Sequence, residues 1–460
     1  MLRSLNKEVE NMTLSGRKQG IHFYIYIKNF EQIVETEEEY SNTVNHSIHA
    51  LDTYFSSIER YGKKHFGSVL TVEKITGARL HLYVTGDICS AYKCVENIAS
   101  YAYQLSKMVN KEIPKYKSLI DFQIQIGACF GCFYEFNFLK KDSVGSQDYE
   151  ELTTIGYAAN FAAKLQGLAG VSKICISEDI YEKCIVNGDV YFKCTDDSIK
   201  KYEQDCFYEA NLMSISKENL VSDDELYIVK EYANKVNLTE MSFTGARQDI
   251  SFDELSKSNC KKVPGIVLFA DVRGFTSKFK EDDSNLKQMA IETEQLLTAM
   301  YDVTMQNQGA HVQFQGDREE VLFQGSKGNN CCENAIRTGM RMIDITKKLN
   351  VHIGIGADYG MIYAARIGAR GEKDNILIGS TVISADRLED EEARKDQIAI
   401  SDVVYMELVK MNSSLAQFFT KNTRDTYIAT IGYQEYLSEM TSNQHKNATT
   451  AKNYNRAWRA

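Results

Sequence analysis

No run in this chain approaches the roughly 18 consecutive apolar residues that a membrane-spanning helix needs. The first residues, MLRSLNKEVENMTLSG, have no apolar stretch behind their basic positions, so they do not read as a secretory signal. There is no basic surplus either: 53 Lys and Arg against 63 Asp and Glu give a net charge of −10, which argues against general nucleic-acid binding. The eleven cysteines are odd in number and scattered, and no second Cys pair stands at zinc-finger spacing beside Cys129 and Cys132. These thiols read as reduced and mostly buried in a cytoplasmic protein. The CFGC of Cys129 and Cys132 lies inside a strand-like run, so a redox or zinc role is not expected for it.

What is present is ample core material and an internal repeat. The apolar fraction is 43% over 460 residues, enough for two to three domains. FQIQIGACFGCFY, LTTIGYAANFAAKLQ and ICISEDIYEKC in the first half are answered in order by VHIGIGADYGMIY, ILIGSTVISADRLED and IAISDVVYMEL in the second. Gly127 corresponds to Gly356, Gly156 to Gly379 and Ser177 to Ser401. Upstream, HFYIYIKNFEQ answers VLFADVRGFTS, and VEKITGARLHLYV answers VQFQGDREEVLFQ. Each half reads as strand, helix, hairpin, helix, strand, hairpin, helix, strand, which predicts α+β lobes with mostly antiparallel sheets. Helical stripes support this: Leu286, Met289, Leu296, Leu297, Met300 and Tyr301 in one half, and Val44, Ile48, Leu51, Tyr54, Phe55 and Ile58 in the other. The expected domains are 20–211 and 263–435. A polar linker with one short helix, 212–262, joins them and is closed by Pro264; residues 436–460 form a flexible tail in which Trp458 is the one residue suited to docking.

The chemistry-bearing residues are unevenly shared between the halves. Asp271 ends the strand VLFADV, and Gly274, Phe275 and Thr276 follow it and open a helix. Asp317 follows a Gly at the tip of a hairpin. Alone, Asp271 reads as a strand-end carboxylate capping the next helix, and Asp317 as an ordinary turn residue. Together, on adjacent strand ends, they suit two divalent metal ions beside a triphosphate, with the Val272 carbonyl as a further ligand. The backbone N–H groups of Gly274, Phe275 and Thr276 suit phosphate oxygens. The first half carries Tyr26 and Ala78 at the two aspartate positions and cannot hold the ions there.

In these motifs the second half resembles a class III nucleotidyl cyclase domain: the Asp-Val-Arg-Gly-Phe-Thr strand end, the Gly-Asp hairpin, the IGIGADYG segment and the helix start from Gly379 to Leu388. The first half resembles the same domain in degenerate form, and the likeness spans most of residues 20 to 435. The fused, unequal architecture resembles the pyrimidine cyclases of Pycsar antiphage systems. The resemblance implies two tandem ferredoxin-like lobes forming an intramolecular pseudo-heterodimer with one site between them. It also implies Mn2+ or Mg2+ as cofactors, a nucleoside triphosphate (CTP) as substrate, and a downstream cyclic-nucleotide-responsive effector.

Carried over residue by residue, the resemblance gives Asn160 the task of orienting the ribose and Lys164 that of contacting charge on the phosphate. The two stand four residues apart on one helix face. Lys164 departs from the family's Arg and cannot form a bidentate fork. The same positions in the second half read Ile383 and Arg387. Lys74 falls where adenylate cyclases place a base-reading Lys, and Thr153 at its partner position. That pair can serve adenine, or the O2 and N3 acceptors of cytosine. No Glu occupies the position of Lys74, which disfavours GTP, although Glu73 is adjacent. Lys200 and Lys201 stand where the family carries a triphosphate-binding Lys, and they read equally well as a solvated loop. The expected activity is a cytidylate cyclase making 3′,5′-cyclic CMP and pyrophosphate. The alternatives are an adenylate cyclase and a catalytically weak nucleotide-binding regulatory module.

Overall fold

The structure is a computed structural model. It describes residues 16–41, 43–140, 149–185, 188–216, 219–235, 244–245, 250–255, 259–274, 286–325, 330–368, 373–423 and 425–442. The first lobe is built on β1 (Lys18–Ile27), β2 (Leu70–Thr76), β3 (Arg79–Thr85), β4 (Ile124–Lys140), β5 (Tyr149–Ile155), β6 (Lys173–Ser177), β7 (Tyr191–Cys194) and β8 (Phe207–Asn211). The second is built on β9 (Thr244–Gly245), β10 (Lys261–Val272), β11 (Ala310–Gln315), β12 (Arg318–Gln324), β13 (Ile353–Ile367), β14 (Asp374–Ile378), β15 (Gln397–Ser401), β16 (Thr420–Lys421) and β17 (Thr426–Ala429). The sheet orders are β2-β3-β1-β4-β6-β8-β7 and β11-β12-β10-β13-β15-β17-β16, with β5 on β4 and β14 on β13. Apart from the small addition of β9 to β10, one order maps onto the other strand for strand. Both sheets are mostly antiparallel, the matching exceptions being β4–β6 and β13–β15.

Register makes the equivalence exact to the residue. Tyr26 faces Arg79 across β1 and β3, as Asp271 faces Arg318 across β10 and β12. Gly77 and Gly316 both take a positive φ, +54° and +70°, so Ala78 and Asp317 leave the same kind of turn.

The helices follow their apolar stripes. In the helix Asn45–Phe66, Ile48, Leu51, Tyr54, Phe55 and Ile58 are all fully buried. In the helix Leu286–Gln306, Leu286, Leu296, Leu297 and Met300 are buried, with Met289 and Tyr301 at the margin.

The lobes exchange parts of their cores. Phe136 and Phe138 on β4, with Phe161 and Leu165 on the helix Tyr157–Leu168, are buried among Leu286, Leu296, Met300 and Phe314 of the second lobe. Phe138 meets Phe314 edge-on at 5.0 Å. In return, Tyr363, Ala365 and Ile367 of β13 and Ile376 and Ile378 of β14 are buried in the first lobe's core. Each such side chain contributes on the order of 1.5–3 kcal/mol, so the interface is an extension of the two cores.

Two boundaries differ from the expectation. Segment 212–262 holds more than one short helix: Leu212–Ile215, Asp223–Asn234 and a turn of 3-10 helix at Phe252–Glu254. The helix Asp223–Asn234 is capped by the Ser222 hydroxyl, buries Leu226, Val229 and Ala233, and docks on the first lobe through Arg60–Glu225 at 2.7 Å and Tyr232–Asp52 at 3.1 Å. The chain also stays helical over 433–442, where Tyr436 is buried, so regular structure runs past the start of the expected tail. A pattern reading missed both because their apolar positions are few and their anchors are tertiary. Trp458 lies outside the described residues. Cys129 and Cys132, three apart on β4, point to opposite faces and do not pair: Cys129 is buried and Cys132 accepts from Arg17.

Candidate active site

Asp271 is the penultimate residue of β10, and Asp317 sits in the turn between β11 and β12. Burial raises the pKa of Asp271, against the pull of Arg318 and Arg273. Burial also raises that of Asp317, and the next largest cause is the charge of Asp271 itself. The two carboxylates therefore share one field and repel, the state that a bound cation relieves. The Asp271 side chain keeps 26% of its surface open, so it is reachable from solvent. Val272, expected as a further ligand, closes β10 opposite Ile353 and is buried. Gly274 takes a positive φ of 77° directly after the strand. Phe275 and Thr276 lie outside the described residues.

Behind the aspartates stands a charge cluster that sequence reasoning missed. Arg273 donates to Asp271 Oδ2 at 3.0 Å and to the main-chain oxygens of Glu389 and Ala393 at 2.6 and 3.1 Å, and it pairs with the Glu389 carboxylate at 2.6 Å. Arg318 pairs with Asp386 and with Glu389 at 3.1 Å. Burial pushes Glu389 up to about 7, although the two arginines oppose the shift. Sequence carried one hint: Arg273 follows Asp271 by two, a strand-like spacing that places both on one side.

From the first lobe, the helix Tyr157–Leu168 brings up Asn160 and Lys164, both half-buried. The Asn160 side chain makes no hydrogen bond among the described residues and is open to one. Lys164 is lowered by burial, raised by Asp196, lowered by Lys201 and raised by Asp390 of the second lobe. Asp390 also acts on Asp271, so Lys164 and Asp271 share a charged neighbour. Lys201 belongs to this electrostatic group. Lys200 turns outward to Asp197 at 2.6 Å and is 71% exposed, so the structure separates two neighbours that the sequence left together.

Lys74 and Thr153 meet: the ammonium lies 3.4 Å from the Thr153 hydroxyl, and both residues are buried. The β2 strand bulges between Val72 and Lys74. Glu73 therefore departs from simple alternation; its carboxylate takes the Thr154 main-chain N–H at 3.1 Å and pairs with His81 at 2.9 Å. Lys74 also donates to the Glu151 carboxylate and to the main-chain oxygen of Phe314 at 2.9 Å. Glu151 continues to His311 at 3.4 Å, and His311 to Glu319 at 3.0 Å. This row of alternating charges crosses from one lobe to the other.

The symmetry-related interface carries Tyr26 and Ala78 at the positions of Asp271 and Asp317. A cavity of about 160 Å3 lies there, walled by Tyr26, Ala78, Arg79, Arg318 and Ile383 among others. Arg387, the counterpart of Lys164, is spent on Glu31 at 2.7 Å. No helix among the described residues is long and apolar enough to cross a membrane.

Known proteins share this layout. Residues 259–435 match the family "Adenylate and Guanylate cyclase catalytic domain". A uridylate cyclase of Pseudomonas aeruginosa is 20% identical over 413 residues, covering 84% of this chain and 77% of its own length. The crystal structure of a class III adenylyl cyclase-like ATP-binding protein from the same organism superposes with a TM-score of 0.63 at 18% identity, covering 92% of this chain and 90% of that one. The second lobe therefore matches a class III cyclase catalytic domain, and the first lobe repeats its topology strand for strand.

Proposed function

We propose that the chain is a pyrimidine nucleotide cyclase that converts CTP to 3′,5′-cyclic CMP and pyrophosphate at one site between its lobes. The observation that carries this reading is the division of parts: a repelling carboxylate pair on the second lobe, and a Lys74–Thr153 pair with Asn160 and Lys164 on the first. In the reaction the ribose 3′-oxygen forms a bond to the α-phosphorus, and the bond to the pyrophosphate oxygen breaks. Two divalent ions held by Asp271, Asp317 and the Val272 carbonyl would lower the pKa of that hydroxyl and neutralise phosphate charge. The mutual repulsion of the two aspartates fits such ions. Asn160, open to a partner, orients the ribose. Lys164, set among Asp196, Lys201 and Asp390, meets the charge that develops on the phosphate. Lys201 and the amide of Gly274, followed by Phe275 and Thr276, serve the triphosphate, and Lys200 is the lesser contributor.

Lys74 would donate to a pyrimidine carbonyl or ring nitrogen. The carboxylate that reads the adenine amino group in adenylate cyclases is replaced by Thr153 in one lobe and Ile376 in the other. UTP is the second reading, favoured by the likeness to a uridylate cyclase. The likeness to an ATP-binding protein keeps an ATP-directed or regulatory role as the third. The product would act as a cytoplasmic antiphage signal read by a cyclic-nucleotide-responsive effector. The test is turnover of the purified chain with Mn2+ and an equimolar mixture of the four ribonucleoside triphosphates. Cyclic CMP as the main product supports the proposal. Cyclic UMP or cyclic AMP as the main product replaces the base, and no cyclic product leaves the regulatory reading.

A further inference from the structure

Two acidic residues outside the expected site occupy one position in the repeat. Glu151 stands two residues before Thr153 on β5, and Asp374 two before Ile376 on β14. Each accepts a hydrogen bond from a main-chain N–H on the edge strand of the other lobe: Phe314 to Glu151 at 2.9 Å, and Ile75 to Asp374 at 2.7 Å. The strands β2 and β11 are the outer strands of their sheets, so these N–H groups point away from the ladder and need a partner.

The two contacts differ in what completes them. At Phe314 the carbonyl is also taken, by Lys74 at 2.9 Å, so the Lys74–Glu151 ion pair grips both polar groups of one residue. At Ile75 the counterpart of Lys74 is Gln313, whose amide turns to Glu320 at 3.2 Å instead. The gripped residue lies three before Asp317 on the same hairpin.

We propose that Glu151 is a positioning residue for base recognition: it holds the Lys74 ammonium against the Phe314 peptide, so that only the donor now directed at Thr153 is free to turn to the base. An ammonium has three donors. Two are committed to Glu151 and Phe314, and the third makes the longest contact, 3.4 Å to Thr153. One directed donor discriminates among bases, whereas a mobile ammonium offers a hydrogen bond to an acceptor on any of them. The same grip ties base contact in the first lobe to the hairpin that carries Asp317 in the second. This rests on the reading of Lys74 as the base-contacting residue.

The test uses the full chain, nonhydrolysable analogues of the four triphosphates with Mn2+, and inorganic pyrophosphate as a probe without a base. Binding constants are compared for the wild type, Glu151→Gln and Asp374→Asn. Glu151→Gln should reduce the ratio between the best and worst base by roughly tenfold or more, with pyrophosphate binding unchanged. Asp374→Asn changes the matching contact at the other interface and should leave the ranking intact. Glu151→Asp, which keeps the charge but draws the carboxylate back from Lys74, should show a smaller loss in the same direction and keeps the proposal testable should Glu151→Gln not fold. An unchanged ratio in Glu151→Gln, or in Glu151→Asp should Glu151→Gln not fold, overturns the proposal. So does an equal loss in Asp374→Asn, or a wild type that binds all four bases alike. Turnover is not read, so an absence of cyclase activity strikes the proposed function without deciding this outcome.

Discussion

Apart from burial, the charge of Asp271 is the largest influence on Asp317, and it acts to keep the Asp317 carboxyl protonated. Two acids that resist ionising together, one of them open to solvent, suit the cation site proposed above.

Neutralising that pair should separate activity from stability. Asp317→Asn removes a charge that the fold disfavours, so the midpoint of thermal unfolding should hold or rise. Cyclase turnover should fall by at least about 10²-fold, the scale of losing one electrostatic contact to a transition state. Normal turnover by the purified variant would remove Asp317 from the mechanism.

The proposed division of parts between the lobes carries a stoichiometry. Calorimetric titration with a nonhydrolysable triphosphate should give one Mn2+-dependent site per chain. The interface of Tyr26, Ala78, Ile383 and Arg387 should contribute none, because it lacks both aspartates and its Arg387 is held by Glu31. Two equal Mn2+-dependent sites would contradict this asymmetry.

Lys164 offers a test of departure from the family pattern. Lys164→Met should lower kcat by roughly 10²-fold with little change in KM, as expected for a contact that strengthens in the transition state. Lys164→Arg should restore most of the rate. A variant that changes only KM would make Lys164 a ground-state binding residue.

His311 gives the lobe interface a pH signature. Burial would lower its pKa, but Glu151 and Glu319 raise it from 6.5 to about 9. A raised folded value means that its contribution is fully present below pH 6.5 and is lost as pH rises through about 9. The unfolding midpoint of the wild type should therefore decline across that window more steeply than that of His311→Gln. Glu151 has the opposite sign: burial would raise it, but Lys74 and His311 hold it near 2, so its contribution is present above about 4.5 and fades as pH falls toward 2. Parallel slopes for wild type and His311→Gln between pH 6.5 and 9 would show that the imidazolium does not support the interface.

The matched glycines should be intolerant of even a methyl group. A Cβ on Gly127 would lie 2.1 Å from the Gln166 nitrogen and 2.3 Å from the Ala162 oxygen. On Gly356 it would lie 2.2 Å from the Glu389 nitrogen and 2.4 Å from the Ala385 oxygen. Alanine at either should cost about 1–3 kcal/mol in urea unfolding. Gly356→Ala should also reduce activity, because Glu389 supports Arg273 and through it Asp271.

The glycine pair also shows why the fold was legible in the sequence. A helix can lie this close to a strand only over a residue without a side chain, so the repeat preserved Gly127 and Gly356 where other positions drifted. The order of elements along each half and the paired hairpin turns followed from the same repeat. The aspartates were legible because strand ends and turn tips sit at fixed offsets from glycines; the Lys74–Thr153 pair was legible only through the resemblance to adenylate cyclases. Glu151, Arg273, His311 and Glu389 were not. Each owes its place to a partner far along the chain or on the other lobe, as Glu151 owes its to Phe314, and no local pattern marks that. One short helix was expected in 212–262, but the docking of Asp223–Asn234 on the first lobe was not legible, since its anchors Arg60 and Asp52 lie in another part of the sequence.

The exchange of core residues between the halves has a kinetic meaning. Where a site needs two separate chains, dilution separates its halves and specific activity falls with concentration. Here Phe138 is sealed against Phe314 while Tyr363 is sealed in the opposite core, and both lobes share one backbone. The effective concentration of one half-site for the other is fixed by covalent structure. Turnover per mole of this protein should be the same at nanomolar and micromolar concentration, so the amount of signal would follow the number of chains rather than its square.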